Sequence, residues 1–206
     1  MRPFAASPRP PACPPLPAGT ALDEPHPAAD PIAVTRLWLE RAVIGLNLCP
    51  FAKAVHAKEQ VRYVLSDATT SEALLEELAE ELLLLRDTPA ERIDTTLLIH
   101  PQVLGDFLDY NDFLENADAV VEALDLQGIL QVASFHPHYQ FAGTAPDDIA
   151  NYTNRAPYPI LHLLREDSVE RAVAAFPDPD VIVERNVQTL ENLGLEGWKR
   201  LFEGRD

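Results

Sequence analysis

The sequence predicts an α/β domain built on a mainly parallel four-stranded sheet with flanking helices, an α+β arrangement being the alternative. Three observations carry this prediction. Apolar strand-like runs alternate with segments of helical periodicity. The runs are nearly continuous in apolar residues, as strands covered on both faces are. Segments of helical length between them imply right-handed crossovers joining parallel strands. With 206 residues, 47% of them hydrophobic, the chain has material for one well-buried core. Residues 31–206 are therefore expected to form a single domain.

Nine of the nineteen prolines fall within residues 1–30, a stretch with little apolar content beyond alanine. Such a segment buries too little surface to offset the entropy of ordering it, so a disordered tail is expected. The run PRPPACPPLP offers the alternative of a polyproline ligand for a protein partner. From Pro31 to Leu48, Val34, Leu37, Trp38, Val43 and Leu46 recur at helical spacing, and Pro31 suits a first turn. VRYVL at 61–65 reads as a strand. Thr69 and Glu72 form a capping box before a helix carrying Leu74, Leu75, Leu78, Leu82 and Leu85, which stops near Pro89.

The unit repeats with TTLLI at 95–99 as a strand and a helix carrying Leu104, Phe107, Leu108, Leu114, Val121 and Leu124 up to Gly128. ILQVASF at 129–135 is the third strand and ILHLL at 160–164 the fourth. No full crossover helix fits between them, although TAPDDIANY can make a turn or two capped by Thr144. The fourth strand is thus free to run antiparallel to the third. Ser168 opens a helix through Phe176, and a last helix spans roughly Asp180 to Phe202. This order of elements is that of a thioredoxin-like core, and Pro159 before the last strand invites comparison with the cis-proline of that fold.

In parallel sheets the loops at the carboxyl ends of the strands form the usual ligand crevice. The first strand ends in Ser66-Asp67, the second in His100-Pro101 and the third in His136-Pro137, all on one rim. Each proline keeps its histidine out of helical geometry. Two imidazoles and a carboxylate there suit a transition-metal site or a division of acid and base roles. Adjacent strands about 5 Å apart would let both rings reach one ion. The alternative is that each histidine bonds the loop backbone at its strand end.

If the fourth strand is antiparallel, the connection 137–159 lies over this rim. It carries Tyr139, Asp147, Asn154 and Arg155 as substrate-binding candidates, with Arg155 as anion anchor through its planar fork. Beside Asp147 and Asp148, the same arginine equally suits a structural role pinning the loop. His162, inside an apolar strand, reads as a satisfied core histidine. Cys49 lies between one helix end and the start of another at Pro50, and is a candidate nucleophile or third metal ligand with His100 and His136.

The formal charge of −17 disfavours binding to nucleic acid or to anionic membrane surfaces. No apolar run approaches a bilayer span, the start MRPFAASPRPPACPP lacks a secretory apolar stretch, and two cysteines are too few for a disulfide framework. These features predict a cytoplasmic protein with reduced thiols. No Gly-rich phosphate loop, GxSxG elbow or HExxH is present.

The segments LNLCPFA (46–52), HPQVLGDFLDYNDFL (100–114), SFHPHYQFAGTAPDD (134–148) and NYTNRAPYPILHLLRE (151–166), taken in order, resemble the bacterial and plant family called domain of unknown function 1415, over roughly residues 34–198. The resemblance implies a fold and a residue set: Cys49, His100, His136, Asn154 and Arg155. The chain departs from the family pattern at Ala156, where serine commonly follows the arginine, and His138 has no fixed counterpart. The expectation from residues and resemblance together is an enzyme acting on a small anionic molecule. His100, His136, Cys49 and Arg155 would be its catalytic groups, and Asn154, Asp67, Tyr139 and Asp147 its binding groups. The rival expectation is a thioredoxin-like binding or assembly module without catalysis.

Overall fold

A computed structural model describes residues 30–174 and 180–203. All of the predicted tail but Asp30, Cys13 included, lies outside the described residues, as does Phe176. Helix α1 (Pro31–Trp38) opens with Pro31 at its first position and the Asp30 carboxylate accepting from the Ile32 amide at 3.0 Å. It passes directly into a π-helical segment, Leu39–Ile44, rather than continuing as α-helix to Leu48. This ends at Gly45, where a Cβ would stand 2.2 Å from the Arg41 carbonyl oxygen, closer than any side chain allows. A short helix, α2 (Ala52–Ala57), follows Pro50.

Strand β1 (Val61–Leu65) leads into α3 (Ser71–Asp87), capped by Thr70, whose hydroxyl accepts from the Ala73 amide; Thr69 does not cap. Strand β2 (Thr95–Ile99) precedes α4 (Phe107–Ala123), capped by Asp106. Leu104, expected within that helix, sits before it with φ 59°. Strand β3 (Leu130–Phe135) is followed by the long connection, which contains a 3₁₀ helix at Ile149–Thr153 capped by Asp148 and not by Thr144. Strand β4 (Ile160–Arg165) runs into α5 (Glu166–Ala174), which starts before Ser168; that hydroxyl instead bonds Asp94 at 2.6 Å. The last helix, α6 (Asp180–Arg200), is interrupted at Gly194 (φ 65°).

The sheet order is β1-β2-β4-β3. It is a mixed sheet and corrects the expectation of a mainly parallel one: β1 pairs parallel with β2, while β4 pairs antiparallel with both β2 and β3. The three strands expected to be parallel do share a direction, but β4 separates β2 from β3. The physical reason is that the connection after β3 holds only a short 3₁₀ helix and no crossover helix along a face of the sheet, so the chain re-enters at the rim where β3 ends and β4 runs antiparallel to it. Beyond element order the thioredoxin comparison finds no support, since the last strand lies inside the sheet and the peptide bond before Pro159 is trans.

Alternation places the two cores. Leu98, Leu130, Leu161 and Leu163 face α3 and α4, packing on Leu74, Leu78, Leu82, Tyr110 and Phe113. Leu97, Ile99 and Ile160 face α1, the π-helical segment and α6, packing on Trp38, Ala42, Tyr158, Leu190 and Trp198. Covered on both sides, all five residues of β2 are buried. Two arginines tie the layers at the sheet ends. Arg62 pairs bidentately with the buried Glu81 at 2.8 and 2.8 Å. Arg165 donates to the carbonyls of Leu85, Thr88 and Ile93, closing the carboxyl end of α3.

The Gly45 contact yields a direct expectation. Gly45→Ala overpacks the π-helical turn against the Arg41 carbonyl and costs about 1–3 kcal/mol in urea unfolding with an unchanged m-value.

Candidate functional site at the carboxyl rim of the sheet

His100 and His136 extend β2 and β3 by one residue and are fully buried. The His100 N–H continues the sheet, donating to Pro159 O at 3.1 Å, while the His136 N–H leaves the ladder and donates to Asn154 O of the connection at 3.2 Å. Even numbering sends both rings to the α4 side of the sheet. They do not meet across adjacent strands, because β4 lies between them. The ring of Tyr110 contacts both, stacking on His100 at 5.7 Å and lying tilted against His136 at 5.0 Å between centroids, and its hydroxyl donates to Ile160 O at 2.8 Å.

Both imidazoles are held in defined tautomers by one loop. His100 Nδ1–H donates to Val103 O at 3.1 Å, and His136 Nε2–H donates to Leu104 O at 3.2 Å. His136 Nδ1 accepts from the His138 amide at 3.0 Å, so that ring is fully satisfied. His100 Nε2 is buried and has no partner. Two successive carbonyls, one belonging to the left-handed Leu104, are thus fixed by the two histidines. Backbone bonding at the strand ends, the alternative reading of the His-Pro pairs, is therefore what these rings do. Burial pushes each imidazole down to about 4, so both are neutral at pH 7.

From His136 the ring contacts run outward: to Phe107 at 5.5 Å, from Phe107 to Tyr139 at 5.1 Å, and from Tyr139 to Phe141 at 5.0 Å. A file of six rings thus leads from buried His100 to Phe141, which is 37% exposed. The connection above the rim is organised by buried Asn151, whose Oδ1 accepts from the Phe141 amide at 3.0 Å and whose Nδ2 donates to Ala145 O at 2.9 Å. Arg155 donates from Nε to Tyr139 O (3.2 Å) and from Nη2 to Pro146 O (2.6 Å), and lies 4.4 Å over the Tyr152 ring. Its Nη1 makes no hydrogen bond among the described residues. Asn154 donates to Ser134 O at 3.3 Å. The carbonyl of Arg155 accepts from Trp38 Nε1 at 3.0 Å, which anchors the connection to α1.

Other predicted residues fall elsewhere. Cys49 packs with Trp38 and Ile99 in the core on the α1 side, across the sheet from both histidine rings. Among the described residues no three His, Cys, Asp or Glu side chains gather to hold a metal ion, so the Cys49, His100 and His136 ligand set is not assembled. Asp67 and Asp147 are exposed, and neither carboxylate bonds the rim. His162 is a satisfied core histidine, its Nε2 lying 2.8 Å from Thr95 Oγ1. Sequence reasoning missed Tyr110, Phe107 and Leu104. The spacing Phe107, Tyr110, Phe113 is a one-face helical signal that could have revealed the first two.

These histidines make stability fall with acid. His100, His136 and His162 are each pushed down to about 4 by burial, against 6.5 in the unfolded chain. Between those values the unfolded chain binds more protons, so the stabilisation present above pH 6.5 is lost as pH falls toward 4. Each group contributes up to about 1.4 kcal/mol per pH unit. Urea midpoints measured from pH 7 to pH 4 should fall steeply in the native chain and less steeply in His136→Gln. A flat profile would mean the imidazoles are not buried neutral.

No curated protein and no solved structure gives a significant match to this chain. The family model described as "Protein of unknown function (DUF1415)" matches residues 30–200. That span takes in the sheet, both histidines, the connection above them and all of α6, and the chain belongs to the DUF1415 family.

Proposed function

We propose that the rim binds a small anionic molecule and that Arg155 meets its charge. The observation that carries this reading is a guanidinium already fixed by two backbone carbonyls and one aromatic face, with Nη1 unspent. A cation held in place loses little entropy on pairing with a ligand, and its planar fork favours carboxylate or phosphate. The ring file from His136 to Phe141 supplies an aromatic wall beside it. Chemistry at this site would run through neutral imidazoles. His100 Nε2 holds the lone pair available to a proton donor, while its low basicity makes it a hydrogen-bond acceptor in preference to a strong base. Cys49 takes no part, because it stands on the other face.

Thermal unfolding with a panel of small carboxylates and phosphates tests this. A ligand at 100 times its dissociation constant stabilises by about 2.7 kcal/mol, so at least one should raise Tm of the native chain and leave Arg155→Gln unmoved. Equal shifts in both proteins, or none in either, would remove Arg155 from any anion site.

A second reading, a binding or assembly module, is favoured by exposed apolar groups on the same rim: Leu108 is 71% and Phe141 37% exposed. Under it, Leu108→Ser reduces self-association or partner binding in sedimentation and leaves the anion panel unchanged.

A further inference from the structure

Away from the histidines, a groove opens on the α1 side of the sheet. Two adjoining cavities of about 290 and 370 Å³ share Arg36, Glu59, Val61 and Tyr63 in their walls. One lobe is closed by Glu40 and His56, whose Oε1 and Nε2 lie 3.3 Å apart. The other lobe reaches Arg62, Arg92, Ile32 and Ile93. Its volume falls within the range of small-molecule sites, and its lining mixes aliphatic walls with a few polar groups, as such sites do.

The charges in the second lobe are unbalanced in a direction opposite to the rest of the chain. Arg62 is already matched by Glu81. Arg36 lies 4.5 Å over the Tyr63 ring and makes no ion pair among the described residues, and the exposed Arg92 side chain makes none either. Two unmatched guanidinium groups against the single Glu59 carboxylate leave +1 in a protein of net −17. Tyr63, which lines both lobes, carries a buried hydroxyl without a hydrogen-bond partner. An orphaned buried hydroxyl costs stability unless something bonds it, and a ligand oxygen would do so.

We propose that this groove is a second ligand site, for a short carboxylate with an apolar body. The carboxylate lies between Arg36 and Arg92 within reach of the Tyr63 hydroxyl, and the body rests on Ile32, Val61 and Ile93. The proposal shares no residue with the rim and does not depend on the reading given for Arg155.

Calorimetric titration with glutarate, butyrate and inorganic phosphate, with sodium chloride at matched ionic strength as control, tests it. Glutarate or butyrate should bind saturably, with affinity lowered about tenfold or more in Arg36→Gln and in Arg92→Gln and unchanged in Arg155→Gln. Tyr63→Phe should weaken binding while leaving the unfolding temperature of the free protein equal or higher, because it deletes an unpaired hydroxyl. The Arg92 side chain is exposed and makes no hydrogen bond or ion pair among the described residues, and the hydrogen bond from its amide to Pro89 O is kept in the variant, which therefore folds as the native chain does. The proposal is overturned by absence of saturable carboxylate binding, by binding that the double variant Arg36→Gln, Arg92→Gln leaves intact, or by saturation with phosphate alone. Binding lost in Arg155→Gln and retained in the groove variants would assign the ligand to the rim and equally overturn it.

Discussion

The placement of β4 between β2 and β3 is the constraint on which the rest of the structure depends. An antiparallel strand in that position must enter the sheet at the rim where β2 and β3 leave it. The chain between Phe135 and Ile160 therefore cannot cross a face of the sheet, and it stays over one edge. There its backbone meets the strand ends, with Pro159 and Asn154 carbonyls receiving the His100 and His136 amides. The polar groups of its partly buried backbone need partners, and Asn151 and Arg155 supply them from within the segment, while Asn154 ties it to Ser134 O of β3.

The same constraint explains the histidines. Both follow a strand whose last residue is paired with Ile160, and both point into the space under the connection. A charged imidazole there would be costly, so each ring is neutral and orients its N–H toward the carbonyls of Val103 and Leu104. Two rings from separated strands thus hold one turn of the β2–α4 loop, and Tyr110 fills the position above β4 with its hydroxyl on Ile160 O. Leu104 tolerates a left-handed backbone because its neighbours over-determine it. The unpaired Nε2 of His100 is the one chemically unspent nitrogen of the pair.

Helix α1 joins the two ends of the molecule. Trp38 reaches the rim connection through the Arg155 carbonyl, while Arg36, two residues earlier, covers Tyr63 at the opposite groove. The change from α to π geometry just after Trp38 widens the following turn, and Gly45 alone fits its end. Glu40 stands in that turn and meets His56 of α2.

Local sequence was enough for the strands at 61–65, 95–99 and 160–164, and for the helices rooted at Pro31 and at the leucine repeat from Leu74. Each rests on a short-range pattern: Pro31 at a first turn, Leu74, Leu78, Leu82 and Leu85 on one face, and apolar runs that only a doubly covered strand tolerates. It also brought His100, His136, Asn154 and Arg155 to one rim, because strand ends in a shared direction share an edge. Strand order was beyond its reach, since hydrogen-bonding partners are chosen by non-local packing and the residues of β4 read alike at an edge or in the centre. The fates of the site residues were decided in the same way. Whether a histidine binds a ligand or a carbonyl depends on where Val103 and Leu104 fall, and whether Cys49 joins it depends on which face α1 covers. Neither is encoded in the few residues around His100, His136 or Cys49. Only the assembled sheet, with β4 at its middle, fixes both.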